Sequence, residues 1–80
     1  MERTEILIQI QGIFREVLDD NHILLTDEIT SNDIEEWDSL THIQIIVDIE
    51  RKFNIKFSSK EILESKNIGE LIDCIVSKQN

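Results

Sequence analysis

The chain has no proline and only two glycines among its 80 residues, and aromatic side chains make up 5% of it. A β-sandwich or barrel needs turn formers at short, regular intervals, so this composition disfavours one and suits helices joined by few tight turns. A single cysteine, Cys74, has no possible partner within the chain, which rules out an internal disulfide framework and a multi-cysteine zinc site. A reducing compartment is compatible with that. No apolar run reaches transmembrane length, and the opening Glu2-Arg3-Thr4-Glu5 lacks the apolar core of a signal peptide, so a soluble, cytoplasmic protein without membrane insertion is expected. Lysine and arginine are missing from the whole stretch between Glu16 and Glu50, which holds eleven acidic residues. The formal net charge is -9, from 8 Lys plus Arg against 17 Asp plus Glu. Such a field repels nucleic-acid phosphates and anionic lipid, and it speeds encounter with basic protein surfaces. Residues 51–80 reverse the balance, with six basic side chains against four acidic ones.

Eighty residues fit one domain, 1–80, which buries only about 60% of its unfolded surface and has little room for a deep catalytic cavity. Ile6, Ile10, Ile13, Phe14, Val17 and Leu18 recur at helical spacing and predict a first helix. Gly12 lies inside it at a cost of about 1 kcal/mol relative to Ala, which close packing against a neighbour would explain. From Asp19 to Trp37 the periodicity lapses and turn formers dominate. This long loop is expected to be ordered and pinned by Ile23, Leu24, Leu25, Ile29, Ile34 and Trp37.

Asp38 is a good N-cap for a second helix carrying Leu40, Ile43, Ile46, Val47, Ile49 and Phe53, running to about Lys52 and ended by Asn54. Ser58 and Glu61 form a capping box for a short helix through Ile62 and Leu63. Asn67 and Glu70 form a similar pair ahead of a last helix with the stripe Ile68, Leu71, Ile72, Ile75 and Val76. The expected fold is all-α, a four-helix bundle of three longer helices and one short one.

Chemistry concentrates at Trp37-Asp38-Ser39-Leu40, where the acidic loop meets the second helix. A first-turn Ser39 hydroxyl is exposed beside unsatisfied backbone N–H groups and the positive end of the helix dipole, which favours a phosphate diester built on that oxygen. Asp38-Ser39-Leu40, placed after a long acidic loop and before the helix ending Ile49-Glu50-Arg51-Lys52-Phe53, resembles the acyl carrier protein family over essentially the whole chain. The resemblance implies a non-enzymatic carrier whose Ser39 receives 4'-phosphopantetheine from coenzyme A and holds acyl groups as thioesters. It implies that Asp38 contacts the phosphopantetheinyl transferase or its metal and that Leu40 helps seat the second helix. It also implies that acyl-loading and acyl-processing enzymes dock transiently on that helix of a monomer. Ile43 and Val47 match docking positions of related carriers and could equally be core, while Glu36, Trp37, Gln44 and Glu50 are further candidate docking residues. Gln44 and the pair Arg51-Lys52 depart from the glutamates of fatty-acid carriers, and Trp37 from their small residues. These departures point to a specialised pathway (polyketide, lipid or saccharide modification) over fatty acid synthesis.

Other chemistries fit less well. A hydrolase would pair Ser39 with His42, three residues on, but a bundle of this size offers little oxyanion hole or dry pocket; His42 is expected to be solvated. Asp27 to Asp38 is as long as an EF-hand loop, yet Ile29, Asn32 and Asp38 stand where an oxygen ligand, a glycine and a glutamate are required. No metal site is expected, and His22 reads as surface. Cys74 reads as a buried or half-buried inert thiol. An acidic helical interaction module without a prosthetic group is the remaining alternative.

Overall fold

The computed structural model of the chain describes residues 2–65 and 67–79. Among them all regular structure is helical: α1 Arg3–Val17, α2 Ser39–Phe53, α3 Ser59–Glu64 and α4 Ile68–Gln79. That is the predicted set of three longer helices and a short one. The first helix packs against both α2 and α4, and its stripe Ile6, Ile10 and Phe14 is fully buried. Two left-handed residues stop helices: Asp19 (φ 53°) just after α1, and Asn54 (φ 56°), where the second helix was expected to end.

The second helix buries only part of the stripe the sequence suggested, Ile46, Ile49 and Phe53, and adds Ile45 to it. Ile45, Ile46, Ile49 and Phe53 are buried, whereas Leu40 is 80% and Ile43 51% exposed. Leu40 therefore does not seat the helix. Apolar residues occupy two adjoining stripes of α2, and period alone cannot say which one meets α1.

The long loop is ordered, as expected, and the backbone shows how. Ile23, Leu25 and Trp37 are buried, with Ile29 and Ile34 packed against the core. Leu24, expected to help pin it, is 72% exposed, lying between the buried Ile23 and Leu25. Gln11 Oε1 accepts the Leu25 N–H at 2.9 Å, and Arg15 Nε donates to the Ile23 carbonyl at 2.8 Å. At the other end, α4 begins against the loop: the N–H groups of Ile68 and Gly69 donate to the carbonyls of Ile29 and Asp27 at 3.0 and 2.9 Å. Helix-start donors left over by the helix thus anchor the connection. Gly69 allows this approach, since a Cβ there would stand 3.1 Å from Asp27 Cβ. Gly12 has no such reason: it is exposed, a Cβ would meet nothing within 4 Å, and the expected close packing is not found.

The third helix contributes no fully buried side chain. It is held by its ends and edges. The Ser58–Glu61 capping box forms as predicted, and Glu61 Oε1 also takes Lys78 Nζ of α4 at 2.8 Å. That ion pair, followed by the Ser58 N–H, pulls the Glu61 carboxyl down to about 2. Among the described residues no helix is long and apolar enough to cross a membrane.

Candidate functional site

Asp38 leaves the loop in extended conformation and caps α2 with one carboxylate oxygen. Oδ1 accepts the N–H groups of Leu40 and Thr41, both at 3.0 Å. Thr41 closes the box in return: its Oγ1 accepts the Asp38 N–H at 2.9 Å and donates to the Glu36 carbonyl at 3.0 Å. The Thr41 N–H first, then that of Leu40, hold the Asp38 carboxyl below its ordinary range. The sequence reading found Asp38 and missed Thr41, because a threonine at the third helical position lacks the Glu or Gln of the usual capping-box signature.

Ser39 is the first residue of α2, exposed, and among the described residues its side chain has no hydrogen-bond partner. One expectation needs correction. The Leu40 and Thr41 N–H groups beside it are not unsatisfied, since Asp38 Oδ1 takes both. What remains for a phosphate at Ser39 is its own N–H, without a partner among the described residues, the helix dipole and access to solvent.

Behind Ser39 the side chains form a bridge across the bundle. Trp37 is buried, its ring edge-on to Phe14 with centroids 4.8 Å apart. Its indole Nε1–H donates to His42 Nδ1 at 3.1 Å, and the far side of the imidazole lies 3.3 Å from the Ile62 carbonyl of α3. With Nδ1 accepting, the proton sits on Nε2 and is donated to Ile62. His42 is therefore half-buried and engaged at both nitrogens. It is neither the solvated residue that was expected nor a base free to activate Ser39. Trp37, offered as a docking residue, is buried and cannot serve as one. Between this bridge, the loop and α3 lies an open groove of about 540 Å³, lined by Ser31, Asn32, Trp37, His42, Ile62 and Leu63, with Ser39 at its edge. An exposed hydroxyl beside an open groove suits a long covalent arm.

The outward stripe of α2 carries Leu40, Ile43 and half-buried Val47, with Gln44 exposed alongside and Glu36 exposed just before the helix. Glu50 does not join this surface: it is half-buried, and its Oε2 accepts the Phe57 N–H at 2.8 Å. Arg51, Lys52 and Lys56 are exposed beyond it. Two of the loop acids have structural partners. Asp27 pairs with Arg3 at 2.7 Å, and Asp33 Oδ2 accepts the Thr30 N–H at 2.9 Å. Arg3 also bonds Asp73, tying α1 to α4. Among the described residues no three His, Cys, Asp or Glu side chains converge on one point. His22 is exposed beside Asp20. Cys74 is half-buried, with Sγ 3.5 Å from Glu61 Oε2, and burial followed by the Glu61 charge pushes the thiol up and away from reactivity.

Comparison with known proteins finds likeness over most of the chain. The family described as "Phosphopantetheine attachment site" matches residues 9–75. The solution structure of a holo acyl carrier protein from Geobacter metallireducens is 44% identical over 90% of this chain and 83% of that one, with a TM-score of 0.84. A crystal structure of an acyl carrier protein from Thermotoga maritima is 23% identical over 98% of this chain and 91% of that one, with a TM-score of 0.86, a likeness of fold.

Proposed function

We propose, for a chain that belongs to the acyl carrier protein family of phosphopantetheine-attachment domains, that Ser39 is the residue to which the arm is joined. Carriers of this family are not themselves enzymes, and the group they carry is covalent 4'-phosphopantetheine. When bound, it supplies a thiol at the end of a flexible arm, on which acyl groups are held as thioesters. The observation that carries the reading is the exposed Ser39 hydroxyl at the capped head of α2, clear of hydrogen bonds from other described residues and open to an approaching enzyme. On this account the Ser39 oxygen attacks the pyrophosphate of coenzyme A, forming the new O–P bond. Adenosine bisphosphate leaves, and the hydroxyl proton passes to the transferase. Asp38 fixes the corner through Oδ1 and keeps Oδ2 for the transferase or its metal.

Residues 1–80 act as one carrier domain, since the buried side chains of α1, α2, α4 and the loop belong to a single cluster. The docking surface for the transferase and for acyl-loading and acyl-processing enzymes is the stripe Leu40, Ile43 and Val47, rimmed by Glu36 and Gln44. Exposed apolar residues in a polar rim suit partners that must bind and release in turn. The cationic end of α2, with Arg51, Lys52 and Lys56, favours a dedicated biosynthetic pathway over fatty acid synthesis, because a positive patch repels basic docking surfaces. The carrier works as a monomer in the cytoplasm.

The test is the intact mass after incubation with coenzyme A, magnesium and a broad-specificity phosphopantetheinyl transferase. One arm gained by the unaltered chain and none by Ser39→Ala is the expected result. An arm gained by both places the attachment elsewhere.

A further inference from the structure

The groove beside Ser39 has an outer and an inner side, and they differ in chemistry. Its outer wall presents the exposed side chains of Ser31 and Asn32 and the apolar Leu63. Its floor is the bridge already described: the Trp37 indole, the His42 imidazole and the Ile62 carbonyl, joined by hydrogen bonds of 3.1 and 3.3 Å. Directly beneath that floor stands Phe14, with no exposed surface and in edge contact with Trp37. A chain passing from the groove through this floor toward Phe14 would separate Trp37 from His42. That would strand an indole N–H in an apolar setting.

We propose that the Trp37–His42–Ile62 bridge is a specificity-determining floor. It keeps the acyl cargo in the outer groove and so selects short acyl groups bearing a hydroxyl or amino donor over long saturated ones. This rests on the arm being attached at Ser39. The acceptors that would meet such a donor are the side-chain oxygens of Ser31 and Asn32 and Oδ2 of Asp38. The apolar stem would lie against Leu63 and the Trp37 face. The Asp38 carboxylate lining the groove disfavours an anionic cargo and tolerates a neutral or cationic one. His42 is the positioning residue: it touches Trp37 and α3, and sets the depth of the groove through them.

The experiment loads the full chain from acyl-coenzyme A with butyryl, hydroxybutyryl or octanoyl groups, checks each product by intact mass, and compares it with the holo form by NMR and thermal unfolding. Hydroxybutyryl is expected to shift the amide signals of Ser31 and Asn32 more than butyryl does. Octanoyl is expected to leave the methyl signals of Ile45, Ile46 and Ile68 in place. It should leave the unfolding midpoint unchanged as well, although burying even two of its methylenes would raise that midpoint by on the order of 10 °C. The variant His42→Leu, which leaves the Trp37 N–H without its acceptor and so loosens the floor, should let octanoyl shift those core methyls. His42→Gln, which can still accept from Trp37 and donate to Ile62, should keep them still. Core shifts with octanoyl in the unaltered chain overturn the proposal. So does a His42→Leu core that octanoyl leaves unmoved, and so does an equal response to butyryl and hydroxybutyryl. A chain whose mass never increases refutes attachment at Ser39 itself and takes the cargo assignment with it.

Discussion

Replacing His42 with leucine removes the acceptor for the Trp37 indole and the donor to the Ile62 carbonyl, with little change in apolar volume. The Ile62 carbonyl lies on α3, which has no fully buried side chain, so water can replace that bond cheaply. The indole N–H cannot recover so easily, because Trp37 is only 7% exposed; a buried donor left unpaired costs about 1–3 kcal/mol. Adding a few tenths for α3, the expected loss is about 1.5–3 kcal/mol, against a total of about 4–12 kcal/mol for a chain of this length. With a urea slope of about 1 kcal/mol per molar, the midpoint should fall by about 1.5–3 M. Unfolding is followed by helical circular dichroism, so that Trp37→Phe can be measured in the same way. The phenylalanine variant removes the donor, which makes the second substitution cheaper in its background. The cycle of Trp37→Phe, His42→Leu and the double variant should therefore show a coupling of about 1 kcal/mol or more. Additivity within about 0.5 kcal/mol would refute the claim that these two rings are held by one hydrogen bond.

Gly12→Ala should stabilise the chain by about 1 kcal/mol, read as a higher urea midpoint, because the new methyl meets nothing and the helix gains propensity. Gly69→Ala should do the opposite by about 1–3 kcal/mol: its Cβ would press on Asp27 Cβ at 3.1 Å and on the Asp27 carbonyl at 3.3 Å, and Asp27 is held in place by the Gly69 N–H and by Arg3. Glu61 titrates at about 2 in the folded chain against 4.5 ordinarily, so its contribution is complete above pH 4.5 and is lost as pH falls toward 2. Glu61→Gln should flatten the stability profile across that window in urea titrations at successive pH values, and an unchanged profile would remove Glu61 from the account.

Helix existence was legible because the signals are local. The Asp38 and Ser58 caps, the Asn54 stop and the stripes Ile6-Ile10-Phe14 and Ile68-Leu71-Ile72-Ile75 each depend on residues within a few positions of one another. Which stripe of α2 faces inward was not legible. Leu40, Ile43 and Val47 compete with Ile45, Ile46 and Ile49 on hydrophobicity alone, and the choice is made by α1, more than twenty residues upstream. The part of the site that depends on sequence neighbours, Asp38 and Ser39, was read correctly as a capped, exposed corner. The part that depends on tertiary contact was not: His42 reads as a surface helix residue until Trp37 and Ile62, five and twenty positions away, are brought to its two nitrogens. Glu50 misled for the same reason, its charge being spent on the Phe57 N–H after the chain turns at Asn54.

The two stripes of α2 also divide the work of the helix. Burial of Ile45, Ile46, Ile49 and Phe53 fixes α2 against α1, which leaves Leu40 and Ile43 exposed with no partner inside the fold. Exposed leucine and isoleucine next to Ser39 add little to the stability of the bundle, which leaves them available for the docking proposed above. The charges follow the same division. Glu36 and Asp38 lie at the Ser39 end, Arg51 and Lys52 at the other, and between them the helix dipole runs from its positive end at Ser39 to its negative end at Phe53. A partner that aligns with this helix therefore meets acid, then apolar surface, then base. On the proposed docking surface, reversing the partner along α2 would place like charges against each other at both ends, so docking there would be directional.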